Sequence, residues 1–167
     1  MAIPTWVPGQ ILTSSDVNTY FVPKVVIKPG DTARASTTTL ADDPDLVLPL
    51  GSSASYQITG VIFYAGPSAS SSDFKWKFTV PSGSNGQYFA GHQNLSGSFA
   101  GSFQANWTDT LTANTTGVGV IMVIAIQGIT QTGGSAGNLT LQWAQNTSSG
   151  TNDYVKAQSY LVATRIA

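Results

Sequence analysis

The residues able to do chemistry are few, and the densest group is Asp42-Asp43-Pro44-Asp45. Three carboxylates this close together have the oxygen chemistry that holds a hard cation such as calcium. The spacing lacks the D-x-D-x-D-G order of a calcium loop. The plainer reading is an Asp-rich turn ahead of the next strand, in which carboxylates cap backbone N–H groups and Pro44 fixes φ. His92, in Ala90-Gly91-His92-Gln93-Asn94, is the single imidazole. General-base work would need a nucleophile or carboxylate within reach, and no sequence neighbour marks one, so a surface or interface histidine is expected. Gly97-Ser98 and Gly101-Ser102 lack the G-x-S-x-G spacing of a nucleophile elbow. A glycoside hydrolase would need two suitably spaced carboxylates, and the chain offers eight Asp and no Glu. That reading ranks last, and the protein is expected not to be an enzyme.

Aromatic rings are the other ligand code. Trp76, Trp107, Trp143, Tyr56, Tyr64, Tyr88 and Tyr160 could form a sugar-stacking platform, or could fill the space between two sheets. Trp76 suits the core. Trp107 and Trp143 are flanked by polar residues, so Trp107, Asn106 and Tyr88 are the candidate glycan-facing group. Five asparagines stand in N-x-[ST] sequons, Asn94, Asn106, Asn114, Asn138 and Asn146, which a chain this rich in Ser and Thr produces by composition alone.

Composition narrows the classes further. The 167 residues fit one domain. Only 9% are charged and the net charge is -1, against roughly 25% charged in an ordinary soluble domain. Ser and Thr make up 39 residues, so the surface is built from hydroxyls and amides. Near-neutral charge and a pI of about 5.5 argue against nucleic acid as a partner. Zero Cys and one His remove disulfides, thiolate nucleophiles and multi-His metal sites, and no cofactor is implied. The most apolar stretch, Val118 to Ile129, is too short for a membrane helix of about 20 residues and reads as a buried central strand. The first twenty residues lack a basic n-region and an apolar h-region, so no signal peptide is expected.

The elements that must position these residues are mostly strands. Phe74, Trp76 and Phe78 alternate with Lys75 and Lys77, and Leu46, Leu48 and Leu50 also fall on one face. Further strands are expected over Lys24–Lys28, Ala54–Ala65 with a close approach at Gly60, Gln87–His92, Ser98–Thr108, Gly117–Thr130, Asn138–Gln145 and Gln158–Ile166. Eight to ten strands at this spacing predict an all-β, jelly-roll-like two-sheet sandwich over residues 24–167. Residues 1–23 differ. Two prolines hold the start extended, and Thr13-Ser14-Ser15-Asp16 predicts a capping box and a short helix over Ser14–Tyr20 stopped by Pro23.

Two stretches carry a resemblance. The opening, Trp6-x-x-Gly9-x-x-Leu12-Thr13-x-x-Asp16-Val17-Asn18-Thr19-Tyr20, resembles that of short structural proteins of tailed bacteriophages, particularly those of actinobacteria. The end, Leu141-Gln142-Trp143-Ala144-Gln145, Val155-x-Ala157-x-Ser159-Tyr160-Leu161 and Arg165, is similar to their closing strands. The middle, with Asp43-Pro44-Asp45-Leu46 and Phe74-Lys75-Trp76, is of the same type. The resemblance implies a virion component with a β-sandwich body and an anchoring arm, in a group that spans capsid decoration proteins, head fibres and minor tail proteins. The expectation is a decoration protein, a homotrimer on the outer surface of the shell, whose arm grips the major capsid protein through Trp6, Pro8, Leu12, Val17 and Tyr20. The alternative is a tail or head-fibre component that binds host-surface glycans.

Overall fold

The computed structural model describes residues 5–68, 73–93 and 98–167. Ile3 and Pro4 of the arm, part of the serine-rich loop before Asp73, and the Asn94 sequon lie outside the described residues. One helix precedes a two-sheet, all-β sandwich. Among the described residues no helix is long and apolar enough to cross a membrane.

The helix, α1 (Ser14–Tyr20), is set by its first turn. Thr13 accepts from the Asp16 N–H at 3.1 Å while the Asp16 carboxylate accepts from the Thr13 N–H at 3.0 Å, a complete capping box. Asp shortens the usual Glu or Gln by one methylene and still closes the pair, and its carboxyl is held below the ordinary range by these Thr13 bonds. No helix residue is buried.

The strands are β1 (Lys24–Ile27), β2 (Thr32–Arg34), β3 (Ala41–Leu50), β4 (Ser55–Gly66), β5 (Phe74–Thr79), β6 (Asn85–Gln93), β7 (Phe99–Gln104), β8 (Leu111–Ala113), β9 (Gly117–Gln131), β10 (Gly137–Gln145), β11 (Asp153–Val155) and β12 (Tyr160–Arg165). The large sheet runs β1-β12-β4-β9-β6-β7, with β2 and β11 attached at one end of β4; the small sheet runs β3-β10-β5-β8. With β2, β6, β7 and β11 set aside, eight strands remain in chain order. The first, eighth, third and sixth form one sheet, and the second, seventh, fourth and fifth form the other. This is the double Greek key of a jelly roll. The hairpin β6–β7 is an insertion between β5 and β8. It leaves the small sheet, pairs with β9 through β6, and widens the large sheet by two strands.

Alternation fills the core as anticipated. Leu46, Leu48 and Leu50 of β3, Phe74, Trp76 and Phe78 of β5, and Tyr56, Ile58, Ile62 and Tyr64 of β4 all point between the sheets. Gly60 sits where a Cβ would meet the backbone oxygen of Tyr160 at 2.7 Å, so β12 can lie close only against glycine.

Two expectations are corrected. The Asp42–Asp45 segment is no turn; it is the first half of β3, a strand at the edge of the small sheet, where Pro44 removes no needed ladder bond. The register of β10 against β3 shifts between Thr140 and Gln142, a bulge that re-aims this segment. Strand β9 is central in its sheet, yet only one of its faces is covered: Met122, Ile124 and Ile126 are buried on one, Ile121, Gln127 and Ile129 are exposed on the other, and Val118 and Val120 are exposed at the start of the strand. Three strands of three residues, β2, β8 and β11, are too short for alternation to reveal.

Candidate functional site

The Asp cluster closes on an internal cation. The Lys28 ammonium, 1% exposed, donates to Thr32 Oγ1 at 2.6 Å, Asp43 Oδ1 at 3.0 Å and Asp45 Oδ2 at 2.7 Å. All three of its protons are thereby used. Asp43 is fully buried and equally satisfied: Oδ1 also accepts from the Asp45 and Leu46 N–H groups, each at 3.1 Å, and Oδ2 accepts from the Trp143 indole at 3.0 Å. Asp42 points away and accepts from Gln142 Nε2 at 2.7 Å. The carboxylates that might have gathered a metal ion instead fasten β1 of the large sheet to β3 of the small one. Arg34 reinforces the same seam. Its guanidinium lies 4.2 Å from the Trp143 ring centre and donates to the carbonyls of Ala41, Asp42 and Trp143.

The candidate glycan-facing residues do not form a surface. Trp107 and Tyr88 are 2% and 1% exposed and stack on each other, with ring centres 4.4 Å apart and planes within 10°. Phe78 meets the Trp107 edge at 5.4 Å, and the indole N–H donates to the Ile129 carbonyl at 3.2 Å. Both ring faces a sugar would need are covered, and burial pushes the Tyr88 hydroxyl up. Only Asn106 of the three is exposed. The polar flanks of Trp107 were misleading because it sits in the loop after β7 and drops its ring between the sheets. Trp143 is also buried. His92 is half-buried, with Ile124 and Ala100 opposite it in register, and burial holds its pKa below the ordinary value.

In the arm, Trp6 folds back onto its own segment, 6.3 Å from the Tyr20 ring and 6.2 Å from Phe21. The Tyr20 ring lies under the Arg165 guanidinium at 4.8 Å, so these two rings set the arm's shape and its seat beside β12. Leu12 and Val17 occupy the staple positions that flank the N-cap and remain 47% and 37% exposed. Pro8 is exposed too.

The most exposed rings of the sandwich were not singled out by sequence. On the inserted hairpin, Phe89, Phe99 and Phe103 stand on the outer face of the large sheet. Gly91 and Gly101 face each other across the two strands, and a Cβ on either would collide with a ring: Phe99 Cε1 at 2.1 Å over Gly91, Phe89 Cζ at 2.0 Å over Gly101. Each ring thus lies diagonally across the opposite glycine, which covers bare backbone and flattens the surface. Beside them a shallow groove of about 610 Å³ is lined by Gln57, Gln87, Gln127, Phe89, Phe103 and Ile129 among others.

Fold and surface together define a jelly-roll sandwich with an inserted aromatic hairpin and a helical amino-terminal arm. No protein-family model matches the chain, and no curated protein matches it. Two solved structures are similar to it at 10% identity, both from infectious bursal disease virus. One is of the Gt strain, with a TM-score of 0.20 over 98% of this chain and 42% of that one. The other is of the Gx strain, with a TM-score of 0.21 over 89% and 37%. The chain spans about two fifths of the length of those viral chains, and superpositions this loose define no shared role.

Proposed function

We propose that the protein is a non-enzymatic structural component of a bacteriophage virion, a decoration protein that binds the outer surface of the major capsid shell as a homotrimer. The observation that carries the reading is the arm. Ile11, Leu12, Val17, Phe21 and Val22 are between 37% and 85% exposed on a segment whose helix buries nothing, attached to a sandwich whose core is filled without it. Apolar residues gathered on an extension of this kind mark a contact surface. The resemblance of Trp6 to Tyr20 and of the closing strands to short phage virion proteins points the same way. Low charge lets many copies crowd a lattice with little mutual repulsion, and a protein that binds only the assembled shell stabilises it by mass action.

Deletion of residues 2–22 is expected to leave a folded sandwich and to abolish co-sedimentation with purified empty shells. Truncated protein that still decorates shells would remove the arm from the mechanism. The alternative, a fibre component that binds host-surface glycans, loses Trp107 and Tyr88 as stacking rings. It would have to use Phe89 and Phe103 with the amides of Gln57, Gln87 and Gln127, on the face considered next.

A further inference from the structure

The outer face of the large sheet carries no charged residue across six strands. Following the register from one edge, it presents Val25 and Ile27 on β1, Tyr160 and Val162 on β12, then Thr59, Val61 and Phe63 on β4. Val123, Ala125, Gln127 and Ile129 continue it on β9, and the phenylalanines of the inserted hairpin complete it. Its polar groups, Gln, Asn and Thr side chains and the Tyr160 hydroxyl, are all neutral. The Lys156–Asp31 ion pair flanks it at one end, where the Lys156 N–H donates to the Phe63 carbonyl. Six strands about 4.8 Å apart and seven residues at about 3.3 Å each give a plane of roughly 650 Å². Two such planes face to face bury on the order of 1,300 Å², within the range of about 1,200–2,000 Å² for a stable specific interface.

We propose that this face is the interface between copies of the chain, with the flattened Phe89, Phe99 and Phe103 surface at its aromatic end. The proposal rests on the reading of the protein as a multi-copy assembly and names the surface through which two copies meet, a two-fold pairing of identical faces in place of a three-fold one. Three observations select a second copy as the occupant. The face is neutral, so an identical face meets it without like-charge repulsion, whereas a charged partner would gain nothing from it. Its area is that of a stable protein interface. The glycine pair lays the rings flat, and a flat face is complementary to itself. An aromatic, charge-depleted centre with ionic groups at the margin is the anatomy of such contacts.

The test is the mass of the intact protein by sedimentation equilibrium at micromolar concentration, beside Phe103→Lys/Ile129→Lys and a control, Thr112→Lys, on the outer face of the small sheet. Wild type and control are expected at twice the 17.4 kDa chain mass, because identical faces pair two-fold, and the double variant at one chain mass with unchanged circular dichroism and unfolding midpoint. Should the double variant fail to fold, Gln127→Lys at an exposed polar position of the same face reads the same loss. A monomeric or trimeric wild type, or a folded variant that keeps its oligomeric mass, overturns the proposal. Shell binding is read separately: an oligomeric wild type that leaves shells bare removes decoration and keeps the interface. A monomeric wild type whose double variant loses shell binding assigns the face to the shell and overturns it.

Discussion

The two outer faces of this sandwich were built from the same kind of alternating strand and differ in one respect. The small sheet shows solvent Lys75 and Lys77 on β5, Asp42 on β3 and the Gln142 amide between them, with Thr79, Thr112 and Thr140 around. The large sheet shows none of the chain's charges. With only 7 basic and 8 acidic residues to place, their absence from the outer face of the wider sheet is a distribution, and it separates a face suited to water from a face suited to another surface. At the seam between the sheets, Lys28 and Asp43 are buried and, with Asp45, tie the two layers together.

That contrast can be broken first at the seam. Lys28→Met leaves Asp43 buried without its cation and is expected to cost about 3–5 kcal/mol, since removing one partner strands the other charge; urea unfolding measures it. A loss below 1 kcal/mol would show that Asp43 is held by its N–H donors alone. The aromatic residues sharpen the comparison next. Trp107→Ala opens the stack under Tyr88 and should cost about 3–5 kcal/mol, while Phe103→Ser on the open face should cost the monomer under about 1 kcal/mol. Equal losses would mean that Phe103 is part of the core.

Smaller effects follow. Thr13→Ala removes the capping box of α1 and is expected to weaken the helix by about 1 kcal/mol, visible as reduced protection of the Asp16 and Val17 amides in hydrogen exchange with no change in the sandwich. The Asp73 carboxyl, raised above its ordinary value by burial against one bond from the Thr115 N–H, binds its proton more tightly in the folded state. Stability therefore falls as pH rises from the unfolded value of 3.8 through the folded one, and the penalty is complete above it. Asp73→Asn should abolish that component of the slope in unfolding midpoints taken across this window; a parallel slope in both proteins would exclude it. Lys77→Gln on the small sheet should change stability by less than about 0.5 kcal/mol.

Much of the fold was legible because its signals are local. A capping box needs four adjacent residues, and Thr13 to Asp16 supply them. Period-2 alternation needs five or six, and β3 and β5 supply those. Strands β8 and β11, with three residues each, fall below that length. The candidate site was less legible for the same reason. Polar neighbours in sequence suggested exposure for Trp107, but its ring's surroundings come from β5, β6 and β9. An acid cluster with a proline suggested a turn or a cation site, but its counter-ion lies 15 residues upstream in another sheet. The exposed phenylalanines escaped notice because alternation reports two faces and does not say which one the second sheet covers.

The sequence by itself determined that the chain is all-β, that its surface is nearly uncharged, that it holds no thiol or multi-histidine chemistry, and that residues 14–20 are helical. Those properties depend on composition and on bonds between near neighbours. Only the tertiary structure decided the order of strands in the jelly roll, the insertion of β6–β7 beside β9, the burial of Trp107 against Tyr88, and the capture of Asp43 by Lys28. Each depends on which distant strands pair and which faces then meet, and pairing is fixed by the packing of the whole core.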